Sequence, residues 1–308
     1  MSIGALRGVF RSTIKAAVAR CLLHSRYYDA YFGRLKNVAL VLMYHRISST
    51  DDTFTDFETG VSAVHFEAQM RYIREHMNPI PLRELARSLS ETRTLPPRAV
   101  AVTFDDGYAD NYMAAYPVLQ KYAVPATVFA SSGPIGSGDI FWWDTVGEVF
   151  RQSRQQVLET AVIRRAAGGL IRLPRAISLS NRRERREAAH TFVEALKQLE
   201  HGRIASVIGV LRDQLGVRAD EIDAKRHRML SWSELHTMAG NGVEIGAHTV
   251  THPDLARIRD HDALRREVSE SKRQLEHGLG KRVDGFAYPF GLSQHYNGAV
   301  RAAVAQAG

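Results

Sequence analysis

Short, continuously apolar runs alternate with stretches of helical period along most of the chain. VALVLMYH (Val38–His45), AVAVTF (Ala99–Phe104), ATVFAS (Ala126–Ser131), VEIGAH (Val243–His248) and GFAYPF (Gly285–Phe290) read as buried strands. Between them HFEAQMRYIREH, DNYMAAYPVLQKY and HDALRREVSESKRQLEHGLG place apolar residues at helical spacing. Strands apolar on both faces, separated by helices, predict a parallel α/β domain, here spanning residues 38–308. The rhythm breaks over about residues 136–228, a helical, Arg-rich stretch without a convincing strand. It reads as an insertion into the domain rather than a separate core.

Residues 1–37 carry Ile3, Leu6, Phe10, Ile14, Ala17, Val18 and Leu22 at helical spacing, with Lys and Arg between them. This is a basic amphipathic segment without the apolar middle of a secretory signal. It either lies on an anionic membrane surface or packs against the domain. The expected compartment is the cytoplasm, at most peripheral to a membrane, with an extracytoplasmic setting left open. The single cysteine excludes an intrachain disulfide.

The net charge of +8 is unevenly placed. Arg151 to Leu230 holds 17 Lys/Arg against 9 Asp/Glu, and the rest of the chain is balanced at 24 against 24. A local basic surface suits an acidic glycan or an anionic membrane, or is a solvated helix face with i,i+4 Glu–Arg pairs in NRRERREAAH. No zinc-finger, recognition-helix or aromatic RNA-binding pattern accompanies it, so nucleic acid is not an expected partner.

The candidate chemistry collects at the C-terminal ends of the predicted strands: His45, Asp105, Asp106, His248 and the Pro289-Phe290-Gly291 turn. That is the face on which parallel α/β barrels build their sites. Asp105 and Asp106 repel one another, so a partly buried pair needs a metal, hydrogen bonds or open water. His248 and His252, four residues apart, face one point if the segment turns helically, and two imidazoles with one carboxylate make a metal site with open positions. Each piece alone has a plainer reading. A lone HxxxH is more often a surface pair, and a strand-ending Asp-Asp is often a helix N-cap with a solvated neighbour.

TFDDG, then HTVTH, then a Pro-aromatic-Gly turn resembles the polysaccharide deacetylases, carbohydrate esterase family 4, or NodB homology domain. The resemblance covers most of Val38 to Gly308 outside the insertion. It implies a distorted (β/α) barrel of about seven strands, and RAAVAQAG, a helix where another strand is due, predicts that the barrel is incomplete at its C-terminal end. It implies removal of N-acetyl groups from amino sugars of a polysaccharide or its lipid-linked precursor. Asp106, His248 and His252 would hold one divalent ion, zinc first and cobalt or nickel as substitutes, whose charge offsets the aspartate repulsion and leaves Asp105 as the base. The backbone N–H of Phe290, within the run Tyr288, Pro289, Phe290, Gly291, would face the oxyanion.

The family's C-terminal Leu-His motif is missing. LVLMYHRI resembles the circularly permuted members, whose N-terminal Tyr-His supplies the acid, and this points to His45; the alternative is a buried histidine bonded to backbone. His295 reads as solvated. The arginine that pairs with the base in many relatives is absent, since Phe286-Ala287-Tyr288 stand there, so whatever tunes Asp105 comes from elsewhere. Trp142 and Trp143 either stack on sugar faces or anchor the insertion, and Asp144 reads as a helix N-cap. Two other functions remain open at this point, a metal-dependent amidase for a small non-sugar amide and an inactive glycan-binding scaffold.

Overall fold

The computed structural model describes residues 38–48 and 60–308; the N-terminal segment expected to be helical lies outside them. Strands β1 (Ala39–Tyr44), β2 (Arg46–Ser48) and β3 (Gly60–Ser62) precede helix α1 (Ala63–His76), the short strand β4 (Asn78–Pro79) and α2 (Leu82–Ser90). β5 (Ala99–Phe104) leads through a π-helical turn at Asn111–Ala115 into α3 (Tyr116–Tyr122) and β6 (Ala126–Ala130). The inserted stretch holds α4 (Trp142–Gln152), β7 (Val157–Glu159), α5 (Ala161–Ala166), β8 (Ala176–Ser178), α6 (Arg182–Leu196) and α7 (His201–Leu215). After it come α8 (Trp232–Gly240), β9 (Glu244–Ala247), α9 (His261–Arg265), a π-helical turn, α10 (Ser271–Leu279) and α11 (Gly298–Ala307).

The main sheet is five-stranded and parallel, in the order β1-β5-β6-β9, with β4 beside the start of β5. Every residue of β5 is buried, as its unbroken apolar run requires of a central strand. Helices cover the sheet through apolar faces such as Phe66, Met70 and Ile73 of α1, which recur at helical spacing. Phe66 meets Tyr44 and Phe104 edge-on at ring distances of 5.2 and 5.7 Å, locking α1 beneath the ends of β1 and β5.

Gly285–Phe290 does not form the expected strand. It is tied to β9 by a single bridge, Phe286 opposite Ala247, with Ala287 N–H donating to the Ala247 carbonyl at 3.0 Å. Pro289 has no N–H for a ladder, and Phe290 and Gly291 take left-handed φ of 62° and 68°, so the chain turns there. Among the described residues no strand pair closes the ring from this run back to β1. Val41 and Met43 of β1 consequently remain 52% and 61% exposed.

The inserted stretch departs from its sequence reading. It has a buried cluster of its own, including Val149, Phe150, Phe192, Leu196 and Leu211, and an antiparallel β7–β8 pair. Three-residue strands are too short to register as an alternating pattern. Several of its basic groups are committed internally: Arg151 pairs with Glu148, and Arg185 donates to the carbonyls of Leu179 and Ser153. Arg183 and Glu187 form the expected i,i+4 surface pair at 3.0 Å. No helix among the described residues is long and apolar enough to cross a membrane.

Candidate active site

Three strand ends and one turn converge on a cavity of about 670 Å³. It is lined by His45 after β1, Asp105 and Asp106 after β5, His248 after β9, His252, and Tyr288, Phe290 and Gly291 of the turn. Trp143 reaches it from the insertion. Pro289 is buried and does not line it, and Trp142 faces an adjoining cavity instead.

The Asp-Asp pair sits on a strained corner. Asp106 has φ of 75°, and Gly107, at 87°, lies where a side chain's first carbon would stand 3.0 Å from the Ala130 Cβ. Only glycine fits that packing against β6, and it aims Asp106 inward. HTVTH is no helix. Thr249 and His252 take φ of 67° and 57°, and the Thr249 hydroxyl accepts the His252 N–H at 3.0 Å. Glu267 accepts the N–H groups of Val250 and Thr251, both at 2.9 Å, and so staples the loop. The two imidazoles meet as the spacing suggested, but through a tight left-handed turn, with ring centroids 4.7 Å apart.

One ligand atom each from Asp106, His248 and His252 falls within a mutual 4.8 Å, all three residues being buried. Asp106 Oδ1 lies 3.5 Å from His248 Nε2 and 3.2 Å from His252 Nε2 without accepting a hydrogen bond, and His252 Nδ1 is likewise buried without a partner. Orphaned polar atoms of this kind, from a nitrogen and carboxylate donor set, fit a divalent ion. His248 Nδ1–H donates to the Ala287 carbonyl at 2.9 Å, which leaves Nε2 free as a donor atom. Burial alone would raise the Asp106 carboxyl, but the two imidazoles beside it hold it well below the usual carboxylate range. Asp105 is raised, because burial outweighs the lowering influence of His248 and His45. No arginine is among the groups that shift it.

His45 is partly exposed and its ring makes no hydrogen bond among the described residues, so it is not a buried histidine satisfied by their backbone. Its carbonyl is fixed by Asn111 Nδ2 at 2.8 Å. His295 is not solvated. Its Nδ1 lies 2.8 Å from Asp254 and its side chain is only 11% exposed.

A family model, Polysaccharide deacetylase, matches residues 92–159 and 186–308. The chain belongs to the polysaccharide deacetylase family. The gap between the matched stretches falls inside the insertion. The poly-beta-1,6-N-acetyl-D-glucosamine N-deacetylase of Staphylococcus epidermidis is 34% identical over 113 residues, 33% of this chain and 39% of that protein. The chain thus aligns with well under half the length of that relative. Among solved structures, the Streptococcus pyogenes deacetylase PplD, in complex with acetate, superposes with a TM-score of 0.54 and 20% identity, covering 89% of this chain and 80% of that one. IcaB from Ammonifex degensii gives 0.53 and 18%, covering 88% and 80%. At these identities the likeness is one of fold, and it agrees with the expected barrel-like α/β class.

This deacetylase-family chain also carries a buried polar network that its sequence did not announce. Asp144 is no N-cap; it lies in the first turn of α4, two residues past its start, 1% exposed, and accepts the Tyr108 hydroxyl at 2.8 Å. His227 bridges it to Glu148, at 3.0 Å from Asp144 and 3.1 Å from Glu148. Arg46 pairs with Asp110 at 2.8 Å and stacks over the Tyr108 ring at 4.3 Å. Tyr108 in turn accepts the Trp143 indole N–H at 2.8 Å, and the Trp143 ring packs 4.8 Å from His252. Residues 136–228 are therefore tied to the sheet through Tyr108, which bonds Asp144 and Trp143, and through Arg46, which donates to the Arg226 carbonyl at 2.8 Å, and they abut His252. The residues span more than a hundred positions, and a histidine within KRHRML gives no sign of burial.

Burial alone would lower His227, but Asp144 and Glu148 outweigh it and lift its pKa from the ordinary 6.5 to about 9. Stability from this raised group is fully present below about pH 6.5 and is lost as pH rises through about 9. Thermal unfolding of the His227→Gln variant is expected to lose the wild-type decline across that window. His227→Ala leaves two buried carboxylates short of a partner and is expected to cost about 3–5 kcal/mol. A variant as stable as wild type would remove the network's structural role.

Proposed function

We propose that the chain hydrolyses N-acetyl groups of an amino-sugar polymer, of the poly-N-acetylglucosamine class named for the staphylococcal relative. The observation that carries this reading is the buried Asp106, His248 and His252 set with Asp105 beside it, at the strand ends of a polysaccharide deacetylase domain. By ligand type the ion is zinc, with cobalt or nickel as substitutes, and when bound it supplies an activated water and polarises the acyl oxygen. Asp105 takes the proton of the attacking water. The Phe290 N–H, which no backbone acceptor claims among the described residues, donates to the oxyanion. His45 gives a proton to the amide nitrogen as its bond to the acyl carbon breaks, releasing the amine and acetate. Trp143 offers a ring face on which a sugar stacks, its indole N–H being already spent on Tyr108.

The catalytic domain in this reading is residues 38–308, with 136–228 as an insertion that walls the cleft. A full set of donor residues argues against an inactive scaffold, and a rim of partly exposed aromatic rings favours a sugar over a small non-sugar amide. Acetate release from N-acetylglucosamine oligomers, compared with a small aryl amide, tests the reading. Turnover of the aryl amide alone would assign the site to a different substrate.

A further inference from the structure

The cavity that holds Asp105 is not confined to the strand ends. Val41 and Met43 of β1 line it below His45, and Thr103 of β5 lines it below Asp105. Alternate residues of a strand share a face. The intervening Tyr44 and Phe104 meet Phe66 of α1, so this row lies on the opposite side of the sheet. Leu82, Phe129 and Phe286 complete the apolar lining. Phe129 has its place because Gly246 lacks a side chain, which would collide with the Phe129 ring.

The result is an apolar trough that leads away from the reacting groups. Every charged residue of the lining lies at or beyond a strand end or within residues 136–228. Within the strands themselves the lining is Val41, Met43, Thr103 and Phe129, none of them charged, and the Thr103 hydroxyl is spent on the Leu42 carbonyl at 3.3 Å. Val41 and Met43 are 52% and 61% exposed, and apolar surface left open in continuity with a polar site marks a binding surface. Strand from Val41 to His45 spans ~13 Å at ~3.3 Å per residue. An octanoyl chain, at most ~11 Å at ~1.5 Å per carbon–carbon bond, fits that length.

We infer that this trough holds the alkyl chain of an N-acyl group, so that the site hydrolyses amides of medium-chain acids as well as N-acetyl groups. With the acyl carbon beside Asp105 and the tail directed toward Val41, the amine side of the substrate stays at the rim. Water adds to the acyl carbon, Asp105 takes its proton, and the C–N bond breaks as His45 protonates the nitrogen, giving a free amine and a carboxylate. The bond that is broken rests on the deacetylase reading above, and the acyl preference rests on the trough.

The test measures amine release by the zinc-loaded full chain from glucosamine disaccharides carrying N-acetyl, N-butyryl or N-octanoyl groups. A methylene fully removed from water strengthens binding about fourfold. On a trough open along one side, kcat/KM is expected to rise with acyl length and to be about tenfold higher for octanoyl than for acetyl. Octanoyl at or below acetyl overturns the inference and leaves the deacetylase reading standing. Val41→Glu and Met43→Glu put a charge into the trough at exposed positions and are expected to bring the octanoyl-to-acetyl ratio to one or lower, with a melting temperature measured beside each. An unchanged ratio in the folded variants overturns the assignment to this wall. Calorimetric titration of the metal-free wild type, which needs neither a variant nor turnover, is expected to show N-octanoylglucosamine binding more tightly than N-acetylglucosamine; equal affinities overturn the trough. A dimer in solution that Met43→Glu dissociates would cover the trough with a second copy and overturn it too. No amine from any of the three substrates overturns the deacetylase reading and this inference with it.

Discussion

Asp105→Asn is expected to retain the metal and to lose about 10²–10⁴-fold in acetate release, the usual contribution of a general acid–base group. Asp106→Asn is expected to lose both. The two carboxylates are adjacent in sequence but face different partners. Asp106 points at the two imidazoles, at 3.2 and 3.5 Å, and its buried oxygen has no hydrogen bond. Exchanging it for a neutral amide removes one of three donors and its charge. Asp105 lies outside the donor set, so its amide analogue leaves Asp106, His248 and His252 in place. Metal content and turnover measured on the same preparations separate the roles. Near-normal turnover in Asp105→Asn would assign the base elsewhere.

His45→Ala is expected to slow hydrolysis of an N-acetyl sugar by a similar factor while sparing an activated aryl acetate. An amide nitrogen leaves poorly until protonated, whereas a phenolate needs no acid. The position favours the role. β1 delivers His45 to the cavity that holds Asp105, Tyr44 before it is anchored on Gln69 at 2.8 Å, and the ring itself is partly exposed and makes no hydrogen bond among the described residues. Removing a partly exposed ring that makes no hydrogen bond among the described residues should leave folding intact, which thermal unfolding would verify. Equal loss on amide and ester would assign His45 a role other than proton donation.

β5 and β6, buried along their whole length, were legible because burial on both faces leaves no alternative pattern, whereas β1 was legible from its apolar run although Val41 and Met43 face outward. Gly285–Phe290 misled because Pro289 and two left-handed residues end the ladder after one bridge. The clustering of Asp106, His248 and His252 was legible from their types and spacing, but the route to it was not helical. Backbone at φ of 57° and 67° brings His248 and His252 together, and hydrophobic period carries no trace of it. Glu267, which holds that loop, lies in what reads as an ordinary helix face. Asp144 illustrates the hardest case. A carboxylate near a helix start is a cap by local rules, and only the fold brings Tyr108 and His227 to it from opposite sides of the chain. The core of the insertion was hidden for a similar reason: its Arg-rich surface dominates the composition, while Phe150, Phe192 and Leu211 meet only after the chain doubles back.

The central claim is that Asp106, His248 and His252 hold a divalent ion on which N-deacetylation depends. The most direct test follows acetate released from an N-acetylglucosamine oligomer before chelation, after chelation, and after one equivalent of zinc is returned, with metal content measured at each stage. Activity should vanish with the metal and return with it in the wild type. The His248→Ala, His252→Ala double variant should neither bind zinc stoichiometrically nor regain activity. Acetate release that survives complete removal of metal, or a full equivalent of zinc held by the double variant, would contradict the account.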